Sequence, residues 1–263
     1  MSGERVKIFA PCMQCQTELG QPSFEPIFVE YFDDRLATLN CSRGHTGTII
    51  LQSQKFEVLM ESGANALLQG FTLEACSSFA AALERAIEFG LRVLCTAQGV
   101  SNDLWVKTFR PISKHSERQL GAFAMMHALA FGEPYTPNQK FAERRNRVIH
   151  QGEILNKTDA TSFCSQAYDE IVKLTERINR EYPGQVHDTV VRDMIDRQAR
   201  IPLGHRATTT GTNFYNLTAT VHRPFADTLA QFQFSQRLLN EAIPEMEAMF
   251  RAIPPKAAPS SEE

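Results

Sequence analysis

Two short runs of this sequence carry side chains able to do chemistry. The first is Cys12-Met13-Gln14-Cys15 followed by Cys41-Ser42-Arg43-Gly44-His45, three thiols and an imidazole set in two knuckles. Zinc takes about four thiolate or imidazole ligands in a tetrahedron, and two knuckles joined by strands supply them. Cys12, Cys15, Cys41 and His45 then form a structural site, because four protein ligands leave no open position for a substrate. Gly44 lets the second knuckle turn tightly. A redox pair of Cys12 and Cys15, or a set of unrelated thiols, is the competing reading.

The second run is Arg144-Arg145-Asn146-Arg147-Val148-Ile149-His150-Gln151-Gly152. It brings a guanidinium, an amide and an imidazole to the end of a helix. Arginine followed five residues later by histidine recurs at Arg110 and His115 and at Arg200 and His205. Pro111 breaks the first of those copies, and Pro202 with Gly204 breaks the second, so only the Arg145 copy suits a continuous helix. Phe141, Arg145 and Val148 share one stripe of that helix, which places an arginine in line with an apolar seam. Such a guanidinium needs a carboxylate partner, a phosphate or a cleft. On a straight helix His150 lies about 140° further round than Arg145. The two therefore meet at one substrate only if the helix unwinds near Gly152 or two chains share the site.

The run Arg145-Asn146-x-x-x-His150 resembles the signature of the HEPN superfamily (higher eukaryotes and prokaryotes nucleotide-binding domains), over roughly Thr72 to Tyr182. The resemblance implies a four-helix bundle and a metal-independent endoribonuclease acting as a homodimer on RNA. His150 would transfer a proton, Arg145 would clamp the scissile phosphate, and Asn146 would orient one or the other. RNA carries its own 2′-hydroxyl nucleophile, so no metal is needed for the chemistry. Arg144 and Arg147 add local positive charge that can steer RNA, although solvated surface arginines are the bland reading. The resemblance also implies a toxin or antiphage-defence effector, with an antitoxin or a sensor as partner. The alternative is a non-catalytic module of HEPN bundle and zinc ribbon that binds nucleotide, RNA or a protein.

The elements that must hold these residues follow from periodicity. Phe24, Ile27, Phe28, Val29, Tyr31 and Phe32 suggest strands between the two knuckles, and Thr46 to Ser62 reads as a connector of strand and turn residues. Leu73, Cys76, Phe79, Ala80, Leu83, Ile87, Leu91 and Leu94 recur at helical spacing, with Cys76 and Cys95 as core thiols. Asn102, Pro111 and Ser113 mark a loop. A second helix begins at Ser116 with Gln119 completing its cap, and His127 on it reads as a packed histidine. A third opens at Thr136-Pro137 and runs through the signature, and a fourth is capped by Asp159 and ends at Tyr182-Pro183-Gly184. Val190, Met194 and Ile195 suggest a short helix, Thr208 to His222 a hairpin or ordered loop, and Phe225 to Phe250 a last helix containing Pro244.

The chain therefore reads as mainly α: an antiparallel four-helix bundle with a small N-terminal β zinc ribbon and a C-terminal helical extension. The expected divisions are a ribbon over 1–60, a bundle over 61–184, an extension over 185–253 and a disordered tail over 254–263. A chain of 263 residues suits two or three such units. A net charge of -3 gives no global attraction to nucleic acid, so any RNA contact must be local. Neither a signal peptide nor a membrane-spanning run is read, and the expected compartment is cytoplasmic, where cysteines favour metal ligation or burial over disulfides.

Overall fold

The structure, a computed structural model, describes residues 8–20, 25–29, 33–219 and 221–252. The expected strand positions Phe24, Tyr31 and Phe32 and the expected tail over 254–263 lie outside them. The chain is mainly helical, with a small sheet region drawn largely from its N-terminal part and a long C-terminal helix. No helix among the described residues is long and apolar enough to cross a membrane. Two compact units emerge: one of residues 1–52, 194–211 and 232–263, the other of 53–193 and 212–231.

In the first unit, β1 (Ile8–Ala10) leads to a two-turn helix α1 (Met13–Leu19), and β2 (Ile27–Val29) pairs antiparallel with β1. A second sheet holds β3 (Leu36–Asn40) antiparallel to β4 (Thr46–Leu51). Its third strand comes from far along the chain, as β5 (Arg206–Thr210) runs parallel to β4. Thr208 to His222 is thus a strand followed by an ordered loop. No hairpin forms among its described residues, since Arg206–Thr210 pair with the edge of β4 instead. Strand β4 is buried at five successive positions, Gly47 to Leu51, as befits a central strand. Ala10, Cys12, Cys15, Ile27, Ala37, Leu39, Cys41, Ile49 and Phe250 form this unit's core.

The second unit is built on α3 (Thr72–Ala97), which touches α2 (Lys55–Gln69), α4 (Asn102–Phe109), α5 (Ser116–Phe131), α6 (Gln139–Gln151) and α7 (Lys157–Glu181). Its alternation of small and large side chains explains that position. Ala75, Ala82 and Ala86 let neighbours approach, while Phe79, Ile87, Leu91 and Leu94 fill the space between them. Gly90 marks the closest approach: a Cβ there would lie 2.8 Å from Ile178 of α7 and 3.0 Å from Phe123 of α5.

Two helices depart from the expectation. Residues read as a connector form α2, whose stripe of Phe56, Met60, Ala64 and Leu67 is buried. Residues read as a loop form α4, capped by Ser101, whose hydroxyl accepts from the Leu104 N–H. Caps also shift. Asn138 caps α6 by accepting from the Phe141 N–H at 3.1 Å, where Thr136 was expected. Asn156 caps α7 by accepting from the Asp159 N–H at 2.9 Å, so that helix begins earlier than Asp159 suggests. Before α5 the Gln119 amide turns back to donate to the carbonyls of Ser113 and Ile112 instead of closing a capping box.

The loop over 212–217 is secured from within the same unit. The Glu61 carboxylate accepts from the Asn213 and Phe214 N–H groups, and that of Glu57 accepts from the Leu217 N–H at 2.8 Å. Phe214, Tyr215 and Phe225 then pack edge-on against Phe79, Phe56 and Tyr168. Two further helices, α8 (Pro183–Gln198) and α9 (Phe225–Ala252, with Pro244 inside it), complete the described residues.

Candidate functional site

The four donors expected to hold a metal come together in the first unit. Cys12 and Cys15 sit at the start of α1, and Cys41 and His45 flank the turn between β3 and β4. All four ligand atoms lie within 4.8 Å of one another. Gly44 takes φ +85° in that turn, a value that glycine alone adopts without strain. Cys15 Sγ lies 3.7 Å from Cys41 Sγ, and His45 Nδ1 lies 3.3, 3.5 and 3.8 Å from the sulfurs of Cys15, Cys41 and Cys12. A tetrahedron with metal–sulfur bonds of about 2.3 Å and a metal–nitrogen bond of about 2.0 Å has edges of about 3.8 and 3.5 Å. The cluster can hold a metal ion, and its dimensions are consistent with zinc.

Its surroundings support ligation. The Cys15 N–H points at Cys12 Sγ at 3.5 Å and the His45 N–H at Cys41 Sγ at 3.3 Å, contacts that stabilise thiolate. Burial pushes Cys12 up against the lowering contacts from Cys15, and burial with Cys12 and Cys41 adding to it pushes Cys15 up, a penalty that a cation among the sulfurs reverses. Glu18 is the residue that sequence reasoning missed. Its Oε1 lies 3.2 Å from His45 Nε2 and accepts from the Gln14 side-chain amide at 2.9 Å. That contact fixes the ring with Nδ1 turned to the thiols. The only available signal was that Gln14 and Glu18 lie one turn apart on a helix.

The second constellation lies wholly in the second unit. Phe141 stacks on Phe163 of α7 at 4.7 Å between ring centroids, and Phe141 and Val148 are both buried. These two anchors fix the rotation of α6. Arg145 is set between them, and its guanidinium pairs with the Glu84 carboxylate of α3. Arg145 Nη1 also donates to Asn146 Oδ1 at 3.1 Å and lies 3.3 Å from His150 Nε2. The expected obstacle to their meeting disappears. The helix is continuous to Gln151, and the long arginine side chain spans the angle that the backbone leaves between the two positions. An arginine only donates, so Nε2 is the acceptor and a neutral imidazole here carries its proton on Nδ1.

Glu84 does not stand alone, since Arg85 Nη2 lies 4.0 Å from its other oxygen and donates to Gln119 Oε1 at 3.3 Å. The Arg145 guanidinium thus has two roles, countering a carboxylate and holding an imidazole. Arg145 and Glu84 line a cleft of about 360 Å³ together with Leu73, Ser77, Val148 and Gly152. Asn146 and His150 are exposed, whereas Arg145 and Glu84 are half-buried.

The two arginines expected to steer RNA are both ion-paired. Arg144 lies 3.1 Å from Asp159, and Arg147 lies 2.9 Å from Glu153. Arg144 Nε is buried with no hydrogen-bond partner among the described residues. Of the two expected core thiols, Cys76 is buried and Cys95 is half-buried, and Cys164, which the sequence did not single out, is buried with Cys76. A hydrogen bond between the two pulls Cys76 down and pushes Cys164 up. No protein-family model matches the chain, and neither a curated protein nor a solved structure matches it.

Proposed function

We propose that Arg145, Asn146 and His150 form the centre of a metal-independent endoribonuclease of HEPN type, with α3, α5, α6 and α7 as its four-helix bundle. The observation that carries this reading is the contact of Arg145 with His150 and Asn146 at the mouth of a cleft. The exposed Asn146 and His150 both lie within hydrogen-bond distance of the half-buried Arg145 guanidinium, which joins three groups able to hold a phosphate and move a proton. His150 transfers a proton between the 2′-hydroxyl and the leaving oxygen, and Arg145 meets the charge that develops on the phosphate oxygens. Asn146 holds the guanidinium, and Glu84 anchors it from α3. Both acid and base roles are filled if a second copy supplies a second His150. Exposed Phe71 and Ile154, two residues from Leu73 and Gly152 of the cleft wall, favour that homodimer.

Zinc on Cys12, Cys15, Cys41 and His45 would stabilise the N-terminal fold and take no part in cleavage. The role as a toxin or antiphage effector, and an antitoxin or sensor as partner, belong to the same reading. The Arg145–Glu84 ion pair favours a second one, in which the guanidinium is already satisfied and the bundle only binds nucleotide, RNA or a protein. The deciding experiment uses purified folded protein on single-stranded RNA in EDTA. Cleavage should fall about 100-fold or more in His150→Ala and in Arg145→Ala. Cleavage unchanged in both variants removes the nuclease reading, and RNA binding without cleavage in the native protein establishes the second.

A further inference from the structure

Four cations follow one another along the stretch that runs through α4 into the start of α5. Lys107, Arg110, Lys114 and Arg118 are all exposed, and none has an ion pair or a side-chain hydrogen bond among the described residues. Asp103 and Glu117 are the only carboxylates between Asn102 and Gln119. Four charges against two make this stretch a positive patch on a chain whose net charge is -3. Arg144 and Arg147 differ, since each already holds a carboxylate.

The same stretch carries an aromatic platform. Trp105 stacks on the buried Phe109, with ring centroids 4.6 Å apart and planes 15° from parallel. Phe109 covers one face of the indole, and Trp105 as a whole stays half-exposed. Every nucleobase has a flat face that stacks on such a ring, worth about 1–3 kcal/mol per base, while nearby cations hold the phosphates.

Both ends of the stretch are pinned to α3. Gln119 donates to the carbonyls of Ile112 and Ser113 and accepts from Arg85 at 3.3 Å. Arg85 also lies 4.0 Å from Glu84, the carboxylate that pairs with Arg145. At the other end Arg92 donates to Asn102 at 3.2 Å. The patch is thereby fixed beside the Arg145 cleft, and the α3 carboxylates Glu84 and Glu88 are already countered by Arg145 and Arg85.

We infer that this stretch binds the backbone of single-stranded RNA, with a base stacked on Trp105, and leads the strand to Arg145. The last step rests on the nuclease reading, whereas the binding surface does not. A single strand suits it better than a duplex, whose bases are already stacked on one another. A lipid surface suits it less, because α4 has only two turns and only Leu104 and Val106 stand on it as exposed aliphatic side chains.

Trp105 is the chain's only tryptophan, so its fluorescence reports the contact directly. The probe is a short oligodeoxythymidylate, which has no 2′-hydroxyl and cannot be cut by the proposed chemistry. It should quench Trp105 of the full chain with a Kd below about 100 μM in low salt, and log Kd should rise with log salt with a slope of about 3 for four phosphates. Lys107→Gln with Lys114→Gln should weaken binding at least tenfold and lower that slope by about 1.4, whereas Arg237→Gln, an exposed cation of α9, should change neither. The double variant should also raise KM for RNA cleavage. The inference is overturned by absence of quenching, by equal quenching with duplex DNA, by a slope or a KM indifferent to the double variant, or by stronger quenching with phosphatidylserine vesicles than with the strand. Quenching with the expected slope in a protein that leaves RNA intact keeps the surface and removes the nuclease reading instead.

Discussion

Arg145 is held between a carboxylate that would keep it for structure and an imidazole that would use it for chemistry. Glu84→Gln separates those roles, because it removes the charge while keeping the shape. If the Glu84 pair positions the guanidinium, the variant should lose about tenfold in kcat with KM nearly unchanged, read by steady-state RNA cleavage. An activity gain would show instead that Glu84 competes with the phosphate. Arg144→Ala and Arg147→Ala should each weaken RNA binding only a few-fold and flatten its salt dependence by about 0.7 in logarithmic slope for each phosphate no longer neutralised. Tyr135 offers a reading on pH. Its folded pKa lies above the unfolded value of about 10, so its contribution is complete below pH 10 and is lost as pH rises towards 12. A rise from about 10 to about 12, caused by burial with the Glu170 carboxylate adding to it, corresponds to roughly 3 kcal/mol, and ultraviolet titration of the wild type against Tyr135→Phe should show this phenol ionising well above pH 10. The ligands of the N-terminal cluster were legible because few side chains bind zinc and their spacing is restrictive. Glu18 was not, since its role depends on where the His45 ring falls.

Among the elements, α3 and α7 were readable from long apolar stripes and α5 and α6 from their opening residues and a few apolar positions at helical spacing; all four appear near their expected places. Ser62 and Gly63 disguised α2 as turn, although Phe56, Met60, Ala64 and Leu67 keep the helical step. Strand β5 gave only the local signal of its threonines, which suggested a hairpin, because its true partner β4 lies more than 150 residues earlier and the pairing is a long-range event. The shifts at α6 and α7 have one cause: neighbouring Thr, Asn and Asp side chains compete for the same free N–H groups, and the sequence shows the competitors without the winner. The tight helix crossing at Gly90 makes a sharp test. Gly90→Ala adds a methyl 2.8 Å from Ile178 Cδ1, and the gain in helix propensity of about 1 kcal/mol is opposed by overpacking of about 1–3 kcal/mol. Net destabilisation, read as a lower denaturant midpoint with an unchanged slope, is expected. A stabilised variant would mean that α3 and α7 can part at no cost.

At the scale of the whole molecule, the division into two units makes the metal a local matter. The cluster of Cys12, Cys15, Cys41 and His45 belongs to the unit of residues 1–52, 194–211 and 232–263, whereas Arg145 and His150 belong to the other, which has its own core around α3. Without a cation, three buried sulfurs and an imidazole hold the first unit's centre open to charge and desolvation costs, so its folding should be coupled to metal. The second unit has no such dependence. Elemental analysis should find one zinc per chain, and stripping it with a chelator should abolish one unfolding transition while the helical signal of α2 to α7 and the proposed RNA cleavage persist. Cys41→Ser should behave like the stripped protein. A single transition that disappears as a whole on chelation would instead make the two units one cooperative body. Cleavage that vanishes with the metal while the helices remain would place the chemistry at the thiol cluster and leave His150 without its role.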